Sequence, residues 1–131
     1  MRVVGVPPFP VPSGVILLVE DDPSIRHVVQ LLLEDEGLVV EATPNGLEAV
    51  AWAERHRPVL VVLDLGLPLL DGVGVAMALR SRYGERLPIL VVSADYRAAE
   101  KARPIGPCGL VRKPFDADDL VAAVRRELAA G

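Results

Sequence analysis

The chain has 131 residues, about half of them apolar but only 4% aromatic, and a formal net charge of -4. That length suits one domain whose core is built from Val, Leu, Ala and Ile. Scattered bases in an acidic chain argue against direct nucleic-acid binding. No apolar run approaches the ~20 residues of a membrane-spanning helix, and the single Cys108 cannot close an internal disulfide, which fits a reducing cytoplasm.

Residues 1–14 carry four prolines and no secretory apolar centre, so they read as an extended tail ahead of a domain over 15–131. A strand is expected over 15–19, closing on Glu20-Asp21-Asp22. Asp22-Pro23 has the form of an N-cap with Pro at the first helical position. Ile25, Val28, Val29 and Leu32 recur at helical spacing up to about Glu36, where Gly37 stops the helix. A second strand is expected over 38–42. Thr43-Pro44-Asn45-Gly46 opens a second helix with Leu47, Val50 and Ala51 on one face, ending before Pro58.

Residues 59–63 form a short β-branched apolar run, the pattern of a strand buried on both faces of a parallel sheet. It ends on Asp64 and breaks into a Pro/Gly loop. A third helix is expected over 72–83 with Val75, Ala76, Leu79 and Tyr83 inward. Pro88 starts a strand over 89–92 that delivers Ser93. Residues 96–102 are a weak helix, because Pro104, Gly106, Pro107 and Gly109 follow closely. A short strand over 110–112 delivers Lys113, and Asp116 caps a last helix that buries Ala117, Leu120, Val121, Val124 and Leu128. Five β-α repeats give a parallel sheet covered on both faces. The expected fold is a three-layer, doubly wound flavodoxin-like α/β fold with strand order 2-1-3-4-5, its crevice between strands one and three.

That crevice would gather Glu20, Asp21 and Asp64. Three carboxylates repel one another until a hard cation such as Mg²⁺ or Mn²⁺ joins them. Asp64 can then act as a nucleophile toward phosphorus, with Lys113 neutralising phosphoryl oxygens and Ser93 donating its hydroxyl.

The motifs V-E-D-D, L-D-x-x-L-P-x-x-D-G, V-S-A and K-P-F stand in this order, each at a strand end. Over residues 15–129 they resemble the receiver domain of two-component response regulators, including the single-receiver chemotaxis regulators. The resemblance implies Asp64 as phospho-acceptor and as a Mg²⁺ ligand. It implies Asp21 as a direct ligand, Glu20 through water and Gly66 through its carbonyl oxygen. It further implies Lys113 against the phosphoryl group, Ser93 as the switch hydroxyl, and a Lys113-Pro114 bond that is commonly cis in the family. Gly66 and Asp95 fall where the family tunes acyl-phosphate hydrolysis. The implied partners are a sensor histidine kinase or phosphotransfer protein and a downstream effector, with a homodimer through the face of helix four, strand five and helix five.

Two departures stand out. Leu110 occupies the place of the family's Tyr or Phe three residues before the lysine, and helix four is expected to be shortened or replaced by a loop. Asp22 is read as a cap and Asp71 as a loop-shaping residue. His27 is read as a solvated helix residue and Trp52 as packing. The expected function is therefore Mg-dependent phospho-acceptance that switches partner binding in a cytoplasmic phosphorelay, without enzymatic turnover of another substrate. A receiver that binds its partner without phosphorylation is the alternative. A metal-dependent phosphatase is disfavoured, because Gly66 stands where the comparable phosphatase family has a second acid, two residues after its nucleophile. The chain closes just after helix five, and with Met1 and the tail this leads to the expectation of a single-domain regulator.

Overall fold

Regular alternation of five strands with helices is what the structure, a computed structural model describing residues 14–130, displays. The expected tail over residues 1–13 lies outside the described residues. The strands are β1 (Val15–Val19), β2 (Val39–Thr43), β3 (Leu60–Leu63), β4 (Ile89–Ser93) and β5 (Gly109–Arg112). The helices are α1 (Pro23–Asp35), α2 (Gly46–Ala53), α3 (Gly72–Tyr83), α4 (Ala98–Lys101) and α5 (Ala117–Ala130). All strand pairs are parallel, in the order β2-β1-β3-β4-β5.

Alternation along the strands divides the core into two halves. Leu17, Val19, Val61, Leu63, Ile89 and Val91 face α2, α3 and the short α4, whereas Ile16, Leu18, Leu60, Val62, Leu90 and Val92 face α1 and α5. All of these side chains are buried. Full burial of one such aliphatic side chain contributes about 1.5–3 kcal/mol, so both faces of the sheet hold it in register.

Helix α1 stops as expected. Gly37 has φ 85°, its N–H donates to the Glu34 carbonyl, and the Leu38 N–H donates to the Leu33 carbonyl. This six-to-one closure uses the Leu38 amide, so β2 begins at Val39, one residue later than the apolar run proposes.

Three helix faces differ from expectation. On α1 the buried pair is Val29 and Leu33, while Val28 is half exposed, because the face is centred one residue later. On α2 the inward residues are Gly46, Ala49 and Ala53, and Leu47 points outward, 55% exposed. The cause is close approach to the segment before α3. A methyl group on Gly46 would lie 2.3 Å from the Leu70 carbonyl oxygen, so this face admits only small side chains. On α5 the buried residues are Leu120, Ala123 and Val124, whereas the expected Ala117 and Val121, like Leu128, are only partly covered.

The expectation for the fourth helix holds. Only Ala98–Lys101 is α-helical, and a 3-10 turn, Arg103–Ile105, follows with Pro104 inside it. Ala98, Ala102 and Ile105 are nevertheless buried, so this shortened segment is packed against the sheet.

Candidate functional site

Parallel register carries the chemistry-bearing residues to one pole. Val19 lies beside both Thr43 and Leu63, Leu63 beside Val91, and Ser93 beside Arg112. The residues just past these positions are Glu20, Asp64, Ala94 and Lys113. They surround the carboxyl ends of the central strands, where open α/β sheets form their crevice.

Glu20 is buried at 3% exposure. Its backbone N–H donates to the Thr43 carbonyl at 3.1 Å. The Lys113 Nζ approaches its Oε1 at 2.5 Å, and the Asp22 N–H donates to its Oε2 at 3.1 Å. Lys113 Nζ also lies 3.4 Å from Asp64 Oδ2. The Gly66 N–H donates to Asp64 Oδ1 at 3.2 Å, which orients the acid at the loop mouth. Glu20, Asp21 and Asp64 each present a carboxylate oxygen within 4.8 Å of the others.

Burial raises the Glu20 pKa, and the Lys113 hydrogen bond opposes that rise without cancelling it. For Lys113, burial acts against the charge, but the bond to Glu20 and the charge of Asp64 outweigh it, and its pKa is raised.

Ser93 is buried, and its Oγ accepts from the Asp95 N–H at 3.1 Å. It lines one cavity of about 750 Å³ together with Asp64, Gly66, Asp95, Lys101 and Lys113. The Lys113-Pro114 bond is cis. Each sequence-derived site residue thus lies at this pole. Asp22 caps α1 by accepting from Ser24 and Ile25, and Asp71 caps α3 by accepting from Gly74. His27 is exposed, and Trp52 is partly buried, stacked on His56 with ring centroids 4.7 Å apart. Leu110 packs partly buried against the core half shared with α4.

Three contributors escape the sequence reading. Arg26 Nη1 donates to the carbonyls of Glu20 and Asp21 at 2.9 and 3.4 Å, clamping the acidic turn. The buried Thr43 hydroxyl donates to the Leu18 carbonyl at 2.9 Å, fixing the end of β1. Lys101 enters the cavity wall from α4. None has a local pattern, because each depends on strand register or helix phase.

Residues 16–125 match the response regulator receiver domain. The chain belongs to that family. This receiver is 38% identical over 112 residues to the response regulator MprA of Mycobacterium leprae, covering 84% of the chain and 49% of that protein. The chain thus spans about half the length of this curated relative. It is also 34% identical over 114 residues to an uncharacterized 14.6 kDa protein of Leptolyngbya boryana, covering 85% of the chain and 87% of that protein. Among solved structures, the receiver domain of the sensor histidine kinase PA1611 of Pseudomonas aeruginosa aligns with TM-score 0.81 at 30% identity. It covers 90% of this chain and 99% of that one, and holds a magnesium ion in its active-site cleft. Vibrio cholerae CheY4 aligns with TM-score 0.80 at 28% identity, over 86% and 97% of the two chains. The receiver contains no described helix long and apolar enough to cross a membrane.

Proposed function

We propose that this receiver accepts a phosphoryl group from the phosphohistidine of a sensor kinase or phosphotransfer protein onto Asp64. The observation that carries the reading is the placement of Asp64 within reach of both Lys113 and the Glu20-Asp21 pair, at the crevice mouth. In the transfer, the bond from phosphorus to the donor imidazole nitrogen breaks and a bond to an Asp64 carboxylate oxygen forms. The imidazole nitrogen keeps the electron pair. Lys113 offers its ammonium to the equatorial phosphoryl oxygens, and Ser93 can donate its O–H to one of them while still accepting from Asp95.

The donor set fits Mg²⁺, and Mn²⁺ by the same preference, because every candidate ligand is oxygen. Both Glu20 oxygens already have partners, which favours Asp21, Asp64 and the Gly66 carbonyl as direct ligands, with Glu20 acting through water. A bound divalent cation supplies charge neutralisation for the transferring group. The consequence is a shift between two conformations that an effector reads, as in a phosphorelay. The face of α4, β5 and α5, with Tyr96 83% exposed in the turn just before α4, is available to that effector or to a second copy of the chain.

Incubation with acetyl phosphate and Mg²⁺, followed by intact mass measurement, tests the reading. A gain of one phosphoryl group in the native chain, absent in Asp64→Asn, is expected. No gain under conditions where Mg²⁺ binding is measured separately would replace this reading with phosphorylation-independent partner binding.

A further inference from the structure

Lys101 shares the cavity wall with Asp64, Ser93 and Lys113, although it comes from a different element. Its Nζ pairs with Asp95 Oδ2, and the two side chains are 51% and 30% exposed. Its backbone is fixed, since Ala98 and Ala102 on either side are buried. Only its four-carbon stem is free to swing. Asp95 in turn is bonded into the same structure: its Oδ1 accepts from the Arg97 N–H at 2.8 Å and its carbonyl from the Ala98 N–H at 3.0 Å.

Charge decides where the Lys101 ammonium goes after phosphorylation. Glu20 and Asp21 contribute two negative charges, and the acyl phosphate about two more once Asp64 is esterified. Lys113 and a divalent cation return three positive charges, leaving about one negative charge among these groups, to which Asp71 on the same cavity wall adds. Among the described residues, Lys101 is the remaining cation lining that cavity.

We infer that Lys101 is a second phosphoryl-binding cation of this site, held in reserve on Asp95 and exchanged onto a phosphoryl oxygen at Asp64, so that the event is transmitted to α4. The inference rests on Asp64 being the phospho-acceptor. No covalent bond changes in the exchange, and Lys101 remains protonated. The exchange gives the shortened α4 a direct sensor of the chemistry, in a chain where Leu110 replaces the aromatic reporter of the family.

The test uses the full chain, Mg²⁺ and beryllofluoride, a non-covalent phosphoryl mimic, with affinity measured by calorimetry. Lys101→Met should bind about fivefold more weakly, the upper end for a half-exposed charge pair. Lys101→Arg should stay within about twofold of the native chain. Asp95→Asn keeps the acceptor for the Arg97 N–H but releases Lys101, so it should bind more tightly, and this gain should vanish when Lys101→Met is added. A gain that persists in the double variant means simple repulsion by Asp95 and overturns the inference. So does native affinity in a folded Lys101→Met whose melting curve matches the parent. A native chain that takes no phosphoryl mass from acetyl phosphate would instead remove the phospho-acceptor reading itself. Native phosphorylation with an indifferent Lys101 removes only this inference.

Discussion

Replacing Gly72 by Ala would place a methyl group 2.3 Å from the Asp64 carbonyl oxygen and 2.6 Å from both Leu63 Cδ1 and Leu65 Cα. Each distance lies below the 3.0 Å that such contacts require, so the start of α3 or the Asp64 loop must shift by most of an ångström. Backbone lies on one side and a fully buried Leu on the other, so neither yields cheaply. Overpacking of this kind costs about 3 kcal/mol, the upper end of its usual range. Restricting the unfolded chain returns about 0.5–1 kcal/mol. The net destabilisation is about 2 kcal/mol, a fall in melting temperature of about 8 °C for a domain of this size. Gly66→Ala is the control in the same loop, since nothing lies within 4 Å of its added methyl group, and its stability should change by less than about 0.5 kcal/mol. Thermal and urea unfolding of both variants, read by circular dichroism, separates them. A Gly72→Ala melt within about 2 °C of the parent would refute the argument that this glycine holds the Asp64 loop by close approach.

Thr43→Val preserves shape but deletes the hydroxyl bonded to the Leu18 carbonyl, and should cost about 1 kcal/mol in urea unfolding. Arg80→Met removes a guanidinium that donates to the carbonyls of Leu87, Ile105 and Pro107, and should cost about 2 kcal/mol while phosphoryl uptake by Asp64 persists, as measured by intact mass. Burial pushes the Cys108 thiol up, with Arg80 opposing and Glu127 adding to the rise. Its alkylation by iodoacetamide should therefore lag that of free cysteine near pH 8.5 and match it once urea unfolds the chain. Because the folded pKa is the higher one, this thiol's contribution to stability is fully present below its unfolded pKa and is lost as pH rises through the folded value.

The strands and the acids were legible in the sequence for the same reason. A run such as Leu60–Leu63, buried on both faces, has no amphipathic alternative, and an acid closing it has few places to go but the crevice. The cap Asp22 was legible too, because it acts on amides two and three residues away, whereas Asp71, read as a loop-shaping residue, proves to cap α3. What stayed hidden depended on partners distant in the chain. Leu47 looks like a core residue until Gly46 is seen to touch the Leu70 carbonyl, which turns α2 about its axis. Thr43 reads as a helix-opening residue until β2 is registered against β1, where its hydroxyl reaches Leu18. Lys101 reads as one more surface base until α4, with Ala98 and Ala102 packed inward, sets it on the wall of the Asp64 cavity.

Loss of that helix also limits what can move. The segment between Ser93 and Gly109 is held at one end by Asp95, whose carbonyl accepts from Arg112 and Ala98. At the other end Arg80 grips the carbonyls of Ile105 and Pro107 at 2.6 and 2.5 Å. Between these anchors Ala98, Ala102 and Ile105 are buried in the core half beneath. Sliding a whole helix across the sheet would break both anchors and expose that apolar face, whereas exchange of one lysine between two anions breaks neither. A switch built on this segment therefore acts through its exposed side chains, among them Tyr96, Arg97, Glu100 and the cavity-lining Lys101. The surface it alters for a partner is correspondingly small and polar, apart from the ring of Tyr96.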